Sequence, residues 1–486
     1  MLSLTLMPLN AQRTARMEAA PPTAVSLFQV TADGQPISLH EFGGGAFGLC
    51  EVAKPIEIEI NAGFNIQWVD VRPLSAGAVA VISPDHTKVK FLLDRPVPLT
   101  IEFNRNLDRV IHLFAYAPEI DPPAPDTPNV RYFGPGTHEA GIMELLDGET
   151  LYLAPGAWVK GMVRSYGTKN ITIRGRGVLD AGSLPPRGSP LLSAPGKLGT
   201  PPPAAYGGGG LNVIYLEKTE DARIEGITLF NSPQWTCYLK SARNTHIDGV
   251  RLLSWSEGTT TDGFDVVSSS DTLIENFFYR GNDDAIAIKN MDDIEQTNIT
   301  ARHGVIWKMK GGNGIEIGFE MRAAKTSKIR FEDIDIIHAE RGAALSIHHG
   351  DSALIEDITY DNIRVEDAGQ KLIDFTILLG NYGTDRPSPE QRAAWTDVGG
   401  AWDGVLNVPV SERAAFNKGR GMIRNIHVKN LQVVGGMLPF SILSGFSEER
   451  PIENIVIEGM TYMGQPIRNA ADGKFSISHV KGLVFK

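Results

Sequence analysis

Cysteine is almost absent: Cys50 and Cys237 are the only two in 486 residues. Two thiols allow at most one bridge, and they exclude a disulfide framework, a cysteine zinc cluster or an iron–sulfur centre. No apolar run reaches the roughly 18–20 residues that a membrane-spanning helix needs, so a membrane is not expected as a partner. Basic charge is also in deficit, with 46 Lys and Arg against 57 Asp and Glu and a formal net charge of −11. With no long basic run, nucleic acid is excluded as a partner. Residues 1–8 (MLSLTLMP) lack a basic leading segment and carry only a short apolar one, so no compartment is assigned. Glycine (51) and proline (30) are plentiful, which favours a turn-rich β architecture over a helical one.

Residues 1–21 read as a tail. Over residues 22–120 the chain alternates apolar and polar residues in short runs, such as PIEIEINAG (55–63) and VPLTIEFN (97–104), broken by Gly, Pro, Asn or Asp. Strands of that length and spacing predict an accessory β-sandwich. A proline-rich stretch, PEIDPPAPDTPN (118–129), has the composition of a stiff spacer, and the linker is placed at 121–130.

From residue 131 to 486 the chain repeats itself. Segments such as ARIEGITLFNS (222–232), THIDGVRLLS (245–254), TLIENFFYRG (272–281) and KIRFEDIDIIH (328–338) each carry an aliphatic core and a Gly, Asn or Asp turn. Ile224, Ile247, Ile274, Ile299, Ile329 and Ile355 follow one another at 23, 27, 25, 30 and 26 residues. Apolar residues alternate with period two, and no fixed Leu-x-x-Leu-x-Leu frame is present, so helical and leucine-rich repeats are excluded. An all-β fold remains, a right-handed parallel β-helix whose coils bury their aliphatic faces only by stacking. Two long insertions, 184–210 and 381–421, mark where a cleft is expected, because long loops in compact domains are usually functional.

One group of carboxylates stands out. Asp262 and Asp265 in TDGFD (261–265) are followed by Asp283 and Asp284 in NDDAIAIK (282–289), about one coil later. Residues one coil apart in a parallel stack lie about 4.8 Å from each other. Asp262, Asp283 and Asp284 are therefore expected to share one patch, where like-charge repulsion raises at least one pKa. A protonated carboxyl beside ionised ones supplies the acid and the base for glycosidic cleavage.

TDGFD, NDDAIAIK and GGNGIEIG (311–318), taken in succession, resemble the signatures of the polygalacturonase family, glycoside hydrolase family 28. YFGPGTHEAG (132–141), LYLAPGAWVKG (151–161) and GVIWK (304–308) are closer to the dextranase and isopullulanase family, glycoside hydrolase family 49. The resemblance implies a β-helix behind a β-sandwich and an inverting hydrolysis without metal or cofactor. It makes Asp283 the general acid, and Asp262 and Asp284 the pair that holds and deprotonates water. Inversion leads to an expected carboxyl separation of about 6.5–9.5 Å. Asp265 is expected in a turn or as a supporting partner.

The chain departs from the polygalacturonase pattern at two places. Asn313 stands where a His is usual, and Ser346 and His348 stand where an Arg and a Lys grip the galacturonate. Without a bidentate arginine the simpler substrate is a neutral glycan such as an α-glucan. Substrate contacts are expected from Trp235, Lys289, Asn313, Glu316 and His348, with Trp395 and Trp402 as further stacking surfaces. An acidic glycan, a non-catalytic carbohydrate-binding β-helix and a polysaccharide lyase remain as alternatives.

Overall fold

The computed structural model describes residues 27–43, 45–184, 212–254, 260–395 and 405–486. Trp402 and most of the 184–210 insertion lie outside them. The described chain is almost entirely strand. Two five-stranded sheets come first, built from segments between Phe28 and Tyr116. Pairing inside them is antiparallel except where Asn106–Tyr116 runs parallel to Gly45–Glu51. The run at 79–93, which reads as one alternating segment, divides into Val81–Ile82 and Lys88–Leu93 around a turn. Alternation places Ile58, Ile60, Val89 and Phe91 inside, where the two sheets meet. Cys50 belongs to this sandwich and Cys237 to the coils, and both are free thiols.

From Val130 onward 30 strands wind into stacked coils, nearly all paired in parallel with the coil before and the coil after. Each coil contributes an inward side chain to each of three ladders. One ladder runs Cys237, Phe264, Ile286, Ile315, Leu345, Ile373. A second runs Ile224, Ile247, Ile274, Ala301, Phe331, Tyr360, and a third runs Leu179, Leu229, Leu252, Tyr279, Ile306, Ile336. All are buried.

The isoleucine series read from sequence slips here. Ile274 stacks on Ala301, whereas Ile299 pairs with Thr272 and Ile329. Inward positions recur every second residue, so a ladder of isoleucines alone cannot tell one inward position from the next. The turns between ladders are punctuated by Asn and Asp in left-handed conformation, among them Asp271 and Asn298, whose side chains bond at 2.7 Å. These residue types tolerate positive φ and cap backbone locally, which explains their recurrence in the repeat.

The sandwich covers the outer face of the third sheet. Phe47, Val110, Phe114 and Tyr116 pack on Phe230, Leu253, Phe278, Trp307 and Ile337. Polar contacts cross the same junction. Glu102 accepts from Trp307 Nε1 at 2.6 Å and faces His338 Nε2 at 2.9 Å, while His338 Nδ1 faces Asp367 at 3.0 Å. With a carboxylate on each nitrogen, His338 donates twice and is held protonated. Burial opposes this, but the two carboxylates outweigh it and carry the pKa up to about 9. A raised histidine contributes stability that is complete below its unfolded value of 6.5 and is lost as pH climbs through about 9. Thermal midpoints are therefore expected to fall between pH 6.5 and 9.5 in the wild type, and a His338→Gln variant should show a shallower fall.

Candidate active site

The first sheet of the coils keeps its outer face free of the sandwich, and the aspartates gather at the N-terminal edge of its strands. Asp262 precedes the strand Phe264–Val267 and Asp284 precedes Ile286–Asn290. The ladder continues into these leading residues, because Gly263 N donates to the Asp284 carbonyl at 2.9 Å and Ala285 N to that of Asn313 at 3.1 Å. Asp262, Asp284 and Asn313 thus stack one above another on three successive coils. Asp283 is brought alongside by chain adjacency. One carboxylate oxygen from each of Asp262, Asp283 and Asp284 lies within 4.8 Å of the others. This is tighter than the 6.5–9.5 Å expected from the inverting pattern, because sequence adjacency and coil stacking together leave no way to spread the three.

Asp262 and Asp284 are buried, whereas Asp283 is partly open. Burial, reinforced by Asp283, pushes the carboxyls of Asp262 and Asp284 well above the usual carboxylate range. Asp265, expected in a turn or as a supporting partner, lies in the strand itself, fully buried and with its carboxyl raised by burial. Among the described residues Asp262 Oδ1 and both oxygens of Asp265 meet no hydrogen-bond donor, and the two carboxyls interact with each other. Two carboxyls in contact away from water retain a proton between them.

Asp284 is treated differently. Asn313 donates to its Oδ1 from both the backbone N at 2.6 Å and Nδ2 at 3.0 Å. Such donors favour the ionised form against the burial that opposes it. Asn313 is buried, and its Oδ1 accepts from Ala343 N at 2.9 Å. Asp284 N in turn donates to Asp283 Oδ1 at 3.0 Å. Tyr279, which the repeat pattern marks only as a core aromatic, donates to the carbonyls of Thr261 and Asp283 at 2.8 Å each and ties the two aspartate-bearing turns together. Gly312, at φ +66°, crosses so close that a Cβ would stand 2.4 Å from the Asp283 carbonyl carbon, which restricts the position to glycine.

The remaining expected contacts divide. Trp235, half-buried one coil before Asp262, has Lys289 Nζ 5.3 Å from its ring centre. Lys289 donates to the Gly318 carbonyl at 3.2 Å and faces Glu320 at 3.6 Å. Burial works against its charge, but Glu320 and the aspartates hold it well above the usual lysine range. Glu316 and His348 are corrected from sugar contacts to a pair beneath the floor. Glu316 is fully buried and accepts from Ser346 Oγ and from His348 Nδ1 at 2.9 Å. His348 is also 3.2 Å from Asp374, and the two carboxylates overcome burial to raise it to about 10. Lys371 pairs with the same Asp374. Asp374 gave no signal in the sequence, because a lone Asp in a strand carries none. Phe319 stacks on His348 with ring centres 4.9 Å apart. Trp395 packs edge-on against Phe416 at 5.9 Å.

The family model for glycosyl hydrolases family 28 matches residues 210–397, a span that contains all of these aspartates. The relative named "Probable endopolygalacturonase I" of Aspergillus terreus is 27% identical over 183 residues, 36% of this chain and 47% of that protein. Endopolygalacturonase I of Aspergillus niger is 25% identical over 194 residues, 38% of this chain and 49% of that protein. The match thus spans less than half the length of these curated relatives. Among solved structures, Dex49A from Penicillium minioluteum shares the fold with a TM-score of 0.65 at 14% identity, covering 94% of this chain and 93% of its own. The family match supports the resemblance to glycoside hydrolase family 28 that the three aspartate motifs indicate, and the likeness to Dex49A shows a shared parallel β-helix fold.

Removing the Asn313 amide leaves Asp284 with one donor fewer in a buried, like-charged setting. An Asn313→Ala variant is expected to raise the Asp284 carboxyl further. Carboxyl bands followed by infrared difference spectroscopy across pH check this, and an unchanged titration contradicts the assigned contact.

Proposed function

We propose that the protein hydrolyses O-glycosidic bonds of a neutral poly- or oligosaccharide with inversion, on the dextranase and isopullulanase side of the clan. The observation that carries this reading is the convergence of three carboxyls of unequal exposure on one patch. Asp283, the member open to solvent, delivers a proton to the leaving oxygen. Asp284, in the ionised form that the Asn313 donors favour, takes the proton from water, and Asp262 orients that water with Asp265 behind it. A single water hydrogen-bonded at about 2.8 Å to each of two oxygens spans a gap of up to about 5 Å. The compact spacing thus still admits a nucleophile between Asp262 and Asp284.

Charge balance supports the neutral substrate. Lys289, His348 and Lys371 each face a protein carboxylate, so none is left to neutralise a uronate. Ser346, at the position where an arginine is expected for an acidic sugar, is spent on Glu316. The opposing observation is the relatives' naming as endopolygalacturonases, which favours an acidic glycan as the second reading.

Reducing-end release from dextran, pullulan and polygalacturonate, with EDTA present, separates these readings. Activity on a neutral glycan is expected, and Asp283→Asn should reduce kcat by roughly 10²–10⁴-fold with the circular dichroism spectrum unchanged. Activity surviving that substitution refutes Asp283 as the acid, and an unsaturated product absorbing in the ultraviolet identifies a lyase instead.

A further inference from the structure

Tyr279 interrupts an aliphatic series. In its ladder Leu179, Leu229 and Leu252 come before it, and Ile306 and Ile336 come after. The residue is 1% exposed, so its hydroxyl enters an apolar interior, where it is unfavourable unless hydrogen-bonded. The strand that carries it, Phe278–Gly281, runs directly into the turn of Asp283 and Asp284. The series is thus interrupted at the coil that bears the aspartates.

The hydroxyl lies 2.8 Å from the Thr261 carbonyl and 2.8 Å from the Asp283 carbonyl, and its single proton is shared between them. Its oxygen also accepts from Asp283 N at 3.3 Å. Both backbone groups of Asp283 therefore meet one phenol oxygen, and that oxygen also reaches the residue preceding Asp262. A second bond, from Asn282 N to Thr261 Oγ1 at 2.8 Å, joins the same two turns. Two glycines make room for the ring. A Cβ at Gly281 would overlap the Tyr279 hydroxyl, and one at Gly263 would stand 2.6 Å from ring carbon Cδ2. Burial, reinforced by the aspartates, pushes the phenol well above its ordinary value, so it stays a donor wherever carboxyls titrate.

We propose that Tyr279 is a positioning residue for the acid. Its hydroxyl fixes the Asp283 turn against the Asp262 turn and so sets where the Asp283 carboxyl meets the leaving oxygen. This rests on the reading of Asp283 as the proton donor. Tyr279 is buried and acts through the backbone of Asp283, not on the sugar. Proton transfer needs hydrogen-bond reach between acid and leaving oxygen. A displacement of about 1 Å can cost on the order of 10²-fold in rate.

Tyr279→Phe keeps the ring and removes the hydroxyl. On the glycan that the wild type hydrolyses, kcat is expected to fall roughly 10–100-fold with KM unchanged. An oligosaccharyl fluoride of the same linkage separates a misplaced acid from general damage, because fluoride departs without a proton from Asp283. On the fluoride the variant should stay within about threefold of the wild type. Tyr279→Leu, which restores the residue type of the three preceding coils, is the second variant and should show the same split. A kcat on the glycan equal to wild type, whatever the thermal midpoint does, overturns the proposal. Equal losses on glycan and fluoride overturn it too, since the damage then reaches beyond the acid. A wild type that releases no sugar from dextran, pullulan or polygalacturonate refutes the bond-breaking reading instead, and hydrogen exchange then decides the role of Tyr279. Faster exchange of the amides at 282–284 in Tyr279→Phe upholds the hydroxyl as the tie that places Asp283, and unchanged exchange overturns it.

Discussion

Like charges held close together away from water are the constraint on which this molecule turns. Three carboxyls within 4.8 Å, two of them buried, cannot all ionise. The fold imposes this spacing. Coil stacking places Asp262 and Asp284 on adjacent strands, and chain adjacency adds Asp283. The cost of such a cluster is borne by the rest of the structure, through Tyr279 tying the two turns, Gly312 allowing close approach, and Asn313 supplying donors to one carboxylate and not to the others. Identical side chains thereby sit in unequal surroundings, and unequal surroundings are what acid–base chemistry needs.

The scaffold makes this possible by being stiff. Every coil is hydrogen-bonded to both neighbours, and aliphatic ladders fill the interior. The sandwich closes one outer face by packing Phe47 and Phe114 on Trp307 and through the Glu102–His338–Asp367 bridge. The first sheet, whose N-terminal edge carries the aspartates, stays free of the sandwich. Its floor is lined by charges already paired with one another, Glu316 with His348 and Asp374 with His348 and Lys371.

Much of this was legible in the sequence. Period-two alternation and Gly, Asn or Asp turns announced the coils, and the spacing of TDGFD and NDDAIAIK announced the patch, because both depend on local patterns. The ladder register was not legible past Ile274, since Ile299 and Ala301 both point inward and either fits the repeat. Asp265 read as a turn because Asp usually sits in one, yet the strand begins a residue earlier and buries it against Asp262. Glu316 and Asn313 were read as sugar contacts because they lie in the signature strands, and His348 because it stands where a lysine grips galacturonate. Their contacts are with residues one coil away in the stack, Ser346, Asp374 and Asp284 among them, and no local pattern encodes those. Tyr382 lies in an insertion without periodicity, so its approach to Phe319 follows from tertiary packing alone.

The stereochemistry of the first-formed product tests the central claim most directly. The account requires a water, held between Asp262 and Asp284, to attack from the face opposite Asp283. Proton NMR of the anomeric region during the first minutes of hydrolysis should show the anomer opposite to that of the substrate linkage, before mutarotation mixes the two. A product that first appears with the substrate's own anomeric configuration would mean that one of the aspartates attacks carbon itself, and it would contradict the assignment of all three roles.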